Sequence, residues 1–568
     1  METEIKACQN CKQNFVIEPN DFSFYEKMKV PAPTWCPECR LIRRFSFNNI
    51  WSLYRRDCSR CGKKNIMSIF SKDKKFPVYC LPCWWGDSWD GTEVGKDYDP
   101  NRPFLEQMKE LIPISPWQAL ESAYLTLVNS EYTNAVAYQK NTYMTFWADY
   151  CENVFYSSYL NGLKDSLDCY RMYKSELCYE NIGCSNCYKT FFSEECDSCT
   201  GVWFSRSCFG CVDCFGCINL RNKSHCIFNE QYTKEEYVEK LKELRIDSRV
   251  SIENVKNQIL EFWNKYPRRA YVGNSLNVNV TGDYIYESKN AKDCYMVSGA
   301  EDSRYLQFIS VASAKDCYDY TGWGNGAELV YEAMVVGEGA NNVKFCTQCW
   351  PNALNNEYCM YTIASKNCFG CVNLKRKEYC ILNKQYSKGE YEKLVSHIRE
   401  DMIKNPYKDE QGRVWPYGEF LPVGFSPYAY NETVAFRFFP KTKEVVESYG
   451  MGWVEPEPNA YTITKKGNEL PDTIGETNDS VLDEVLECMS CGKAFKIIQN
   501  ELRLMQRLEL PLPHTCYQCR HARRFARTNP PKLYNRTCDK CGKDIKTSYA
   551  PHRPEIVYCE SCYQQEMV

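Results

Sequence analysis

The chain has 568 residues, of which 44% are hydrophobic and 14% aromatic, and its formal net charge is −3. This length and composition exclude a disordered polymer and favour several folded domains. The small net charge excludes nucleic-acid binding through bulk charge, so any such affinity requires local basic patches.

Thirty-six cysteines raise the alternative of a secreted disulfide scaffold, but such scaffolds are usually short chains with a signal peptide. The N-terminal stretch METEIKACQNCKQNF has no apolar region typical of a secretion signal. No run approaches the roughly 18 apolar residues that a membrane span needs. We therefore expect a reduced, metal-binding protein of the cytoplasm.

Residues 1–90 contain four Cys-x-x-Cys pairs. Zinc prefers four tetrahedral thiolates, and two such pairs supply one site, so this region is predicted to be a double-zinc module. Sequence order suggests that the first two pairs form one site and the last two the other, with a cross-braced pairing as the alternative. The predicted ligands are Cys8, Cys11, Cys36, Cys39, Cys58, Cys61, Cys80 and Cys83.

After a connecting segment at 91–129, cysteines recur at steps of 18 with many half-steps of nine, as in Cys151, Cys169 and Cys187. A period of about 18–22 residues without long helical patterns is typical of a β-solenoid. Two solenoid blocks are predicted, at residues 130–232 and 271–386.

One cysteine-rich segment occurs twice in similar form, at 205–237, where it includes CFGCVDCFGC, and at 364–391, where CFGC recurs. Its cysteines lie three apart, a spacing that separate tetrahedral sites do not use. Because free cysteine is a small and often buried residue, packing inside the solenoid is favoured. Additional metal or iron–sulfur binding and redox chemistry are the alternatives.

Each block is followed by a predicted helix with a capping box, Thr233 with Glu236 in the insertion 233–270 and Ser387 with Glu390 in the helix 387–404. Residues 405–480 hold many Pro, Gly and Tyr residues and are interpreted as an irregular β or linker segment. An acidic run begins near its end.

Residues 481–568 repeat the N-terminal module with nearly the same cysteine spacing, which indicates an internal duplication. The fold class is therefore predicted as mainly β with small helical additions, a two-block β-solenoid flanked by duplicated zinc modules with about four zinc ions per chain. His514 and His521 flank Cys516 and Cys519 and are alternative ligands, although a solvated or capping role is favoured for them. The second set of predicted ligands is Cys488, Cys491, Cys516, Cys519, Cys538, Cys541, Cys559 and Cys562.

The segment from Cys8 to Arg44, with FYEKMKVP in its middle, resembles a bacterial treble-clef zinc-binding domain family. LYRRDCSRCGK…VYCLPC resembles a zinc ribbon, with two knuckles on a β-hairpin. The whole chain resembles uncharacterised cysteine-rich zinc-ribbon proteins of candidate-phyla bacteria. The resemblance implies zinc at the matching cysteines, and the C-terminal copy departs from the family in its middle, ELRLMQRLELPLP.

Basic residues cluster in both modules: residues 40–75 hold eleven Lys/Arg against two Asp, and residues 520–546 hold nine against two. Interleaved with aromatic residues, they could bind phosphates and stack on bases, although they could also neutralise the thiolates. The predicted nucleic-acid-binding residues are Arg40, Arg43, Arg44, Arg55, Arg56, Arg60, Lys63, Lys64, Arg520, Arg523, Arg524, Arg527 and Arg536.

No catalytic motif occurs among the five histidines, and no phosphate-binding loop is present. The sequence therefore predicts a non-enzymatic, zinc-binding scaffold whose basic modules contact RNA or a ribonucleoprotein. A protein–protein assembly scaffold is the first alternative. The second is a solenoid carbohydrate-active enzyme that uses carboxylates such as Asp283, Asp293, Asp302, Asp316 and Asp319.

Overall fold

Two β-solenoids form the centre of the molecule, and a cysteine-rich module packs against each of them. The structure is a computed structural model that describes residues 2–274, 276–455 and 461–566. Neighbouring coils pair through parallel bridges, and the described chain is mainly β with short helices. The predicted fold class, a two-block β-solenoid flanked by duplicated cysteine-rich modules, is confirmed.

The N-terminal module (residues 1–90) and the connecting segment consist of short elements. Helix α2 begins directly after Cys36, with Pro37 in its first turn as the sequence predicts. The elements are β1 (Glu4–Ala7), β2 (Asn14–Ile17), α1 (Pro19–Met28), α2 (Pro37–Phe45), β3 (Tyr54–Arg56), β4 (Ile66–Ser68), β5 (Val78–Tyr79), α3 (Leu81–Trp85), α4 (Phe104–Lys109) and β6 (Trp117–Gln118).

The first solenoid (residues 130–232) has coils of 12 residues, because its bridges join Lys164 to Glu176 and Leu167 to Tyr179. The predicted period of 18–22 residues is therefore wrong. Its strands are β7 (Leu127–Val128), β8 (Thr133–Lys140), β9 (Thr145–Phe155), β10 (Ser158–Asn161), β11 (Lys164–Leu167), β12 (Tyr170–Tyr173), β13 (Val212–Phe215), β14 (Ser224–Ile227) and β15 (Glu230–Gln231).

Each of these coils has four sides of three residues. Every third residue from Ala135 to Phe228 has a positive φ, so the chain turns a corner at each of them. A left-handed conformation costs a non-glycine residue roughly 1–2 kcal/mol. Stacking offsets this cost: at one corner Asn141 donates to Asn153 at 3.1 Å and Asn153 donates to Asp165 at 2.8 Å, which forms a ladder.

One side chain per side lies inside the solenoid, and most inward positions hold small residues, with Leu163 and Met172 as larger exceptions. Cys184, Cys187, Cys196 and Cys199 are at most 3% exposed. Their thiols approach backbone carbonyls, with 3.5 Å between the Cys187 Sγ and the carbonyl oxygen of Cys196. Cysteines three apart are therefore successive inward positions of one coil, which agrees with their interpretation as packing residues.

The second solenoid (residues 271–386) has less regular coils of 12 to 14 residues. Its strands are β17 (Gly282–Tyr286), β18 (Lys289–Lys292), β19 (Cys294–Ser298), β20 (Ala300–Arg304), β21 (Gln307–Val311), β22 (Ala314–Lys315), β23 (Cys317–Gly324), β24 (Glu328–Val336), β25 (Asn341–Cys349), β26 (Lys366–Phe369), β27 (Glu378–Ile381) and β28 (Lys384–Gln385), which follow β16 (Arg268–Arg269).

Helices follow both solenoids where the capping boxes predict them. The Oγ1 of Thr233 accepts a hydrogen bond from the backbone N–H of Glu236, and the Oγ of Ser387 accepts one from that of Glu390. The helices are α5 (Lys234–Glu243), α6 (Arg249–Trp263) and α7 (Lys388–Lys404).

Residues 405–455, which we call the strap, are packed against the N-terminal module and the second solenoid. Trp415, Phe420 and Leu421 are fully buried. The interpretation of this region as a linker is therefore wrong for the strap, since its aromatic residues fill a core. Its elements are β29 (Tyr407–Lys408), β30 (Val414–Trp415), α8 (Val434–Phe438) and α9 (Lys443–Ser448).

The C-terminal module (residues 481–568) repeats the order of elements of the N-terminal one. Strand β31 (Lys465–Lys466) precedes the module. The counterparts of β1, β2, α1, α2, β3, β4, β5 and α3 are, in the same order, β32 (Leu486–Glu487), β33 (Ala494–Phe495), α10 (Gln499–Leu508), α11 (Tyr517–Ala526), β34 (Tyr534–Thr537), β35 (Asp544–Thr547), β36 (Val557–Tyr558) and α12 (Glu560–Glu566).

The modules pack crosswise on the solenoids. In the N-terminal module, Phe24 stacks on Tyr318 of the second solenoid with ring centroids 3.9 Å apart. In the C-terminal module, strand β36 pairs with β16, directly after the first solenoid's helices, and Tyr563 donates to Asn219 at 2.8 Å. Each module therefore packs mainly on the solenoid that lies farther from it in the chain, although the C-terminal module also contacts the second solenoid, where Ser548 donates to Asp283.

Helices α2 and α11 lie where the two solenoids meet. Phe308 of the second solenoid contacts Tyr159 of the first, with centroids 5.2 Å apart, and Phe45 of α2, 5.7 Å apart. On the other side, Phe525 of α11 contacts Tyr170 at 5.3 Å. Both solenoids and both modules thus share one core.

Candidate metal centres

Four groups of four cysteines gather their sulfur atoms within 4.8 Å of one another. Their composition matches the pairing in sequence order, so the cross-braced alternative is wrong. The groups are Cys8, Cys11, Cys36 and Cys39; Cys58, Cys61, Cys80 and Cys83; Cys488, Cys491, Cys516 and Cys519; and Cys538, Cys541, Cys559 and Cys562.

The local fold positions each group through a turn and a helix start. Cys8 and Cys11 lie on the turn between β1 and β2, while Cys36 immediately precedes α2. Cys80 likewise immediately precedes α3, as Cys559 precedes α12. The second site of each module therefore differs from the predicted two-knuckle ribbon, since its last pair lies at a helix start and not on a hairpin.

Sulfur spacings within the groups are nearly identical. The Sγ atoms of Cys11 and Cys36 lie 3.7 Å apart, and those of Cys61 and Cys80 lie 3.9 Å apart. The C-terminal counterparts are 3.7 and 3.8 Å. A tetrahedral ion with metal–sulfur bonds of about 2.3 Å places its ligands about 3.8 Å apart. All four groups therefore have the dimensions of a metal centre.

Backbone N–H groups are directed at the sulfurs. The N–H of Cys36 donates to the Cys8 Sγ at 3.2 Å, and the same bond recurs at 3.2 Å in the other three groups. At Cys488 burial raises the thiol pKa, but N–H groups of Cys516, Ser490 and Cys491 outweigh it and lower the pKa to about 7. The turn therefore favours the thiolate, the form that binds metal, at Cys488, whereas burial raises the pKa of Cys516 in the same group to about 11.

Both candidate histidine ligands lie outside these groups. His521 is buried and stacks on Phe525, with ring centroids 5.5 Å apart and an interplanar angle of 27°. His514 is also buried, two residues before Cys516. Among the described residues, the sulfurs of cysteines alone make up the four groups.

Five arginines that the sequence assigns to a nucleic-acid surface are buried in the structure. They are at most 3% exposed, so they cannot contact a phosphate, and for them the assignment is wrong. Charge clustering does not distinguish a solvated arginine from one that pairs with a distant carboxylate. These arginines are Arg40, Arg43, Arg44, Arg520 and Arg524.

The buried arginines clamp carboxylates of the solenoids. Arg40 and Arg44 both bind Asp319, each with a nitrogen–oxygen distance of 2.9 Å. In the C-terminal module Arg520 and Arg524 both bind Asp168, at 3.2 and 2.7 Å. Two arginines four residues apart on a helix lie on one face, so both can reach the same carboxylate.

The clamps contain further carboxylates that no pattern in the sequence identified. Arg43 binds Glu332 at 2.5 Å and Glu419 of the strap at 3.0 Å, and Arg520 binds Glu501 at 2.9 Å. Burial raises the pKa of Glu332 to about 7, although Arg43 and Arg44 oppose the shift. The spacing of four residues between the arginines on one helix could have predicted a shared acidic partner, because it places both side chains on the same face.

The remaining predicted basic residues lie nearer the surface. Arg56 donates to the Ser71 carbonyl at 3.0 Å, Arg527 donates to Glu194 at 2.6 Å, and Arg536 lies 3.3 Å from Asp539, so these three are partly buried. Five others are exposed to solvent. They are Arg55, Arg60, Lys63, Lys64 and Arg523.

Two carboxylates considered for a carbohydrate-active site have structural partners. Asp319 is held by Arg40 and Arg44, and Asp283 accepts a hydrogen bond from Ser548 of the C-terminal module. Both carboxylates are buried beneath a module. The structure therefore does not present these two in an open groove, whereas Asp293, Asp302 and Asp316 line an open cavity of about 700 Å³ between α1 and the second solenoid.

No family model matches the chain, and no curated protein matches it. Among solved structures, a putative acetyltransferase from Desulfovibrio desulfuricans G20 is 9% identical, with a TM-score of 0.10, and the match covers 51% of this chain and 85% of the other. This similarity supports no argument about fold or activity. Within the described residues, no helix is long and apolar enough to cross a membrane.

Proposed function

We propose that the protein is a zinc-binding, non-enzymatic scaffold in which four zinc ions fix the modules that join two solenoids. The observation that supports this most directly is the sulfur spacing of 3.7–3.9 Å, which fits four thiolates around one zinc ion. Iron could occupy similar sulfur sites. The proposed cytoplasmic location agrees with the use of reduced cysteine pairs.

Elemental analysis of the purified protein tests this proposal. We expect about four zinc ions per chain, and Cys61→Ser should reduce the zinc content by one ion. Cys184→Ser is the matched control, because this thiol is buried in the first solenoid and outside the four groups. Iron in place of zinc, or zinc loss from the control, would contradict the proposal.

We also propose that RNA contacts the N-terminal module at the turn between β3 and β4. Arg60, Lys63 and Lys64 are exposed there, and Arg55 on β3 is exposed beside them. Exposed cations can follow a phosphate backbone, whereas the buried arginines of α2 cannot. RNA binding by this scaffold therefore depends on the exposed cations of the turn between β3 and β4, and not on the buried arginines of helix α2.

Binding of a fluorescent single-stranded RNA to the full-length protein at about 50 mM salt tests this step. Three to five phosphate contacts give a slope of roughly −2 to −3.5 for log K against log salt. Changing Arg60, Lys63 and Lys64 to Glu should abolish binding. The matched control changes Lys388, Lys393 and Lys404, exposed on α7, to Glu and should retain it. Equal binding by both variants would contradict the proposed contact.

A protein–protein assembly scaffold without RNA is the second candidate function. The observation that favours it is an open cleft between the C-terminal module and α6, lined by Arg523. If the RNA experiment fails while zinc is present, this candidate replaces the RNA proposal. The resemblance to zinc-ribbon proteins of bacteria stays a prediction.

A further inference from the structure

Two adjoining cavities of about 230 and 260 Å³ lie between α6, α11 and the outer face of the first solenoid. They share walls formed by Arg523, Lys256, Glu180 and Phe192, and we call the combined space the Arg523 cleft. Its size falls in the range of sites that bind a few side chains or a small ligand.

The N-terminal module contains the same site in a filled form. There the Glu419 carboxylate of the strap accepts hydrogen bonds from Thr34, at 2.7 Å from its N–H and 2.6 Å from its hydroxyl, and from Arg43 at 3.0 Å. The Arg43 guanidinium also lies 4.5 Å from the Trp35 ring and 5.3 Å from the Trp415 ring. A glutamate flanked by aromatic residues thus fills this copy.

The duplication places Arg523 where Arg43 stands, since each lies seven residues after the third cysteine of its module. Glu180 of the first solenoid corresponds to Glu332, because each lies one coil beyond the clamped aspartate. Glu180, however, is paired with Lys256 at 2.9 Å. Within the described residues, Arg523 has no carboxylate partner, and its guanidinium reaches only the Thr515 hydroxyl.

Chain order explains why this copy is open. After the second solenoid, α7 leads into the strap, which covers Arg43. After the first solenoid, α6 leads through β16 directly into the second solenoid, so no equivalent of the strap follows. The Arg523 cleft therefore lacks the segment that its counterpart receives from its own chain.

Donor groups without acceptors surround the cleft. The buried Nε atoms of Arg249 and Arg520 and the Nε1 of Trp263 have no hydrogen-bond partner in the described chain. These atoms have no accessible surface, so the cation that a ligand can reach is the exposed guanidinium of Arg523. Burial raises the pKa of Glu180, but Lys256 and the nearby arginines outweigh it and lower that pKa to about 2, which indicates a positive field.

Apolar surface completes the site. Phe192 and Phe204 of the first solenoid stack with centroids 4.6 Å apart, and both line the cleft. At its edges, Leu260 and Met489 are 51% and 52% exposed. In both copies an arginine thus lies beside an apolar wall. Arg43 of the filled copy is paired with carboxylates, whereas Arg523 of the cleft is not.

We propose that the Arg523 cleft binds a peptide segment of a partner protein that carries a glutamate flanked by aromatic residues. The glutamate carboxylate pairs with Arg523, and the neighbouring aromatic side chains lie against the apolar wall. This resembles the way in which the strap binds Arg43, so residues 413–422, RVWPYGEFLP, give a suitable test sequence. The proposal requires neither RNA binding nor the exposed lysines of the N-terminal module.

The experiment measures fluorescence anisotropy of the labelled peptide 413–422 with the full-length protein. We expect one peptide to bind per chain, because the strap occupies the N-terminal copy at high effective concentration. Arg523→Ala should weaken binding roughly 5-fold, because it removes the cation that pairs with the glutamate at a partly solvated site. Arg503→Ala is the matched control, because Arg503 is exposed, pairs with Asp479 and lies outside the cleft.

A charge exchange makes the test independent of folding defects. Arg523→Glu should abolish binding of the original peptide and restore it for a peptide with Lys in place of Glu419. Equal binding to the wild-type protein and Arg523→Ala, or no binding at all, would overturn the proposal. Binding of AMP that depends on Arg523, without binding of the peptide, would assign the cleft to a nucleotide and also overturn it.

Discussion

At the scale of single residues, the molecule depends on arginine pairs that share one buried aspartate. Arg40 and Arg44 hold Asp319, and the duplicated module repeats the arrangement with Asp168. Asp319 and Asp168 have no exposed surface. Because a buried charge without its partner is unfavourable, each aspartate links a helix of one module to a coil of one solenoid.

We expect Asp319→Ala to lower the free energy of unfolding by about 3–5 kcal/mol, since it leaves two buried guanidinium groups without this partner. Asp316→Ala is the control. Its partner Lys27 is 60% exposed, and the loss of such a surface pair should cost less than about 1 kcal/mol. Denaturant unfolding followed by tryptophan fluorescence measures both variants, and equal midpoints for the two would contradict the clamp.

At the scale of elements, each side of a solenoid coil has three residues, one of which points inward. This geometry restricts the residue types that occur at the inward position. Small inward side chains such as cysteine, serine and threonine fill a narrow interior, and the outward side chains pair with the next coil. Larger inward side chains, such as Leu160, Leu163 and Met172, lie in the coils before the cysteine-rich ones. The repeated cysteine-rich segment is therefore a consequence of coil geometry.

Cys199→Leu should lower stability by about 1–3 kcal/mol because it overpacks an inward position that is fully buried. Thr200→Leu, at the next and exposed position, should leave the melting temperature nearly unchanged. Thermal unfolding monitored by circular dichroism compares the two variants. A larger loss for Thr200→Leu would reverse the assigned orientation, and zinc loss from Cys199→Leu would reopen metal binding in the solenoid.

Local features could be predicted from the sequence, whereas features that depend on distant contacts could not. The four cysteine groups and both capping boxes follow from spacings of a few residues. The coil length was missed because steps of nine and 18 are multiples of the three-residue side and not of the 12-residue coil. The buried arginines were missed because Asp319 lies 275 residues from Arg44.

At the scale of the whole molecule, the modules cover the solenoids crosswise. Helix α2 contacts the second solenoid through Asp319 and Glu332, while α11 contacts the first through Asp168. The filled and the open arginine sites follow from this arrangement, because only the second solenoid is followed by a strap. Disruption of one module should therefore destabilise the solenoid that lies farther from it in the sequence.

Hydrogen exchange measured by mass spectrometry tests the crosswise arrangement. Cys516→Ser disrupts the site at the start of α11 and should increase exchange in residues 130–232, with little change in 271–386. Cys36→Ser should have the opposite effect, because α2 rests on the second solenoid. Increased exchange in the solenoid that lies nearer in sequence would contradict the crosswise packing.

Crosswise packing also sets an order of events during synthesis on the ribosome. Helix α2 emerges early, but Glu332, a partner of Arg43, follows 289 residues later. At about 5–20 residues per second this delay is roughly 15–60 s. Throughout that time the nascent N-terminal module displays a cationic helix without its carboxylates. The C-terminal module, in contrast, is translated after both solenoids and meets a first solenoid whose coils are already complete.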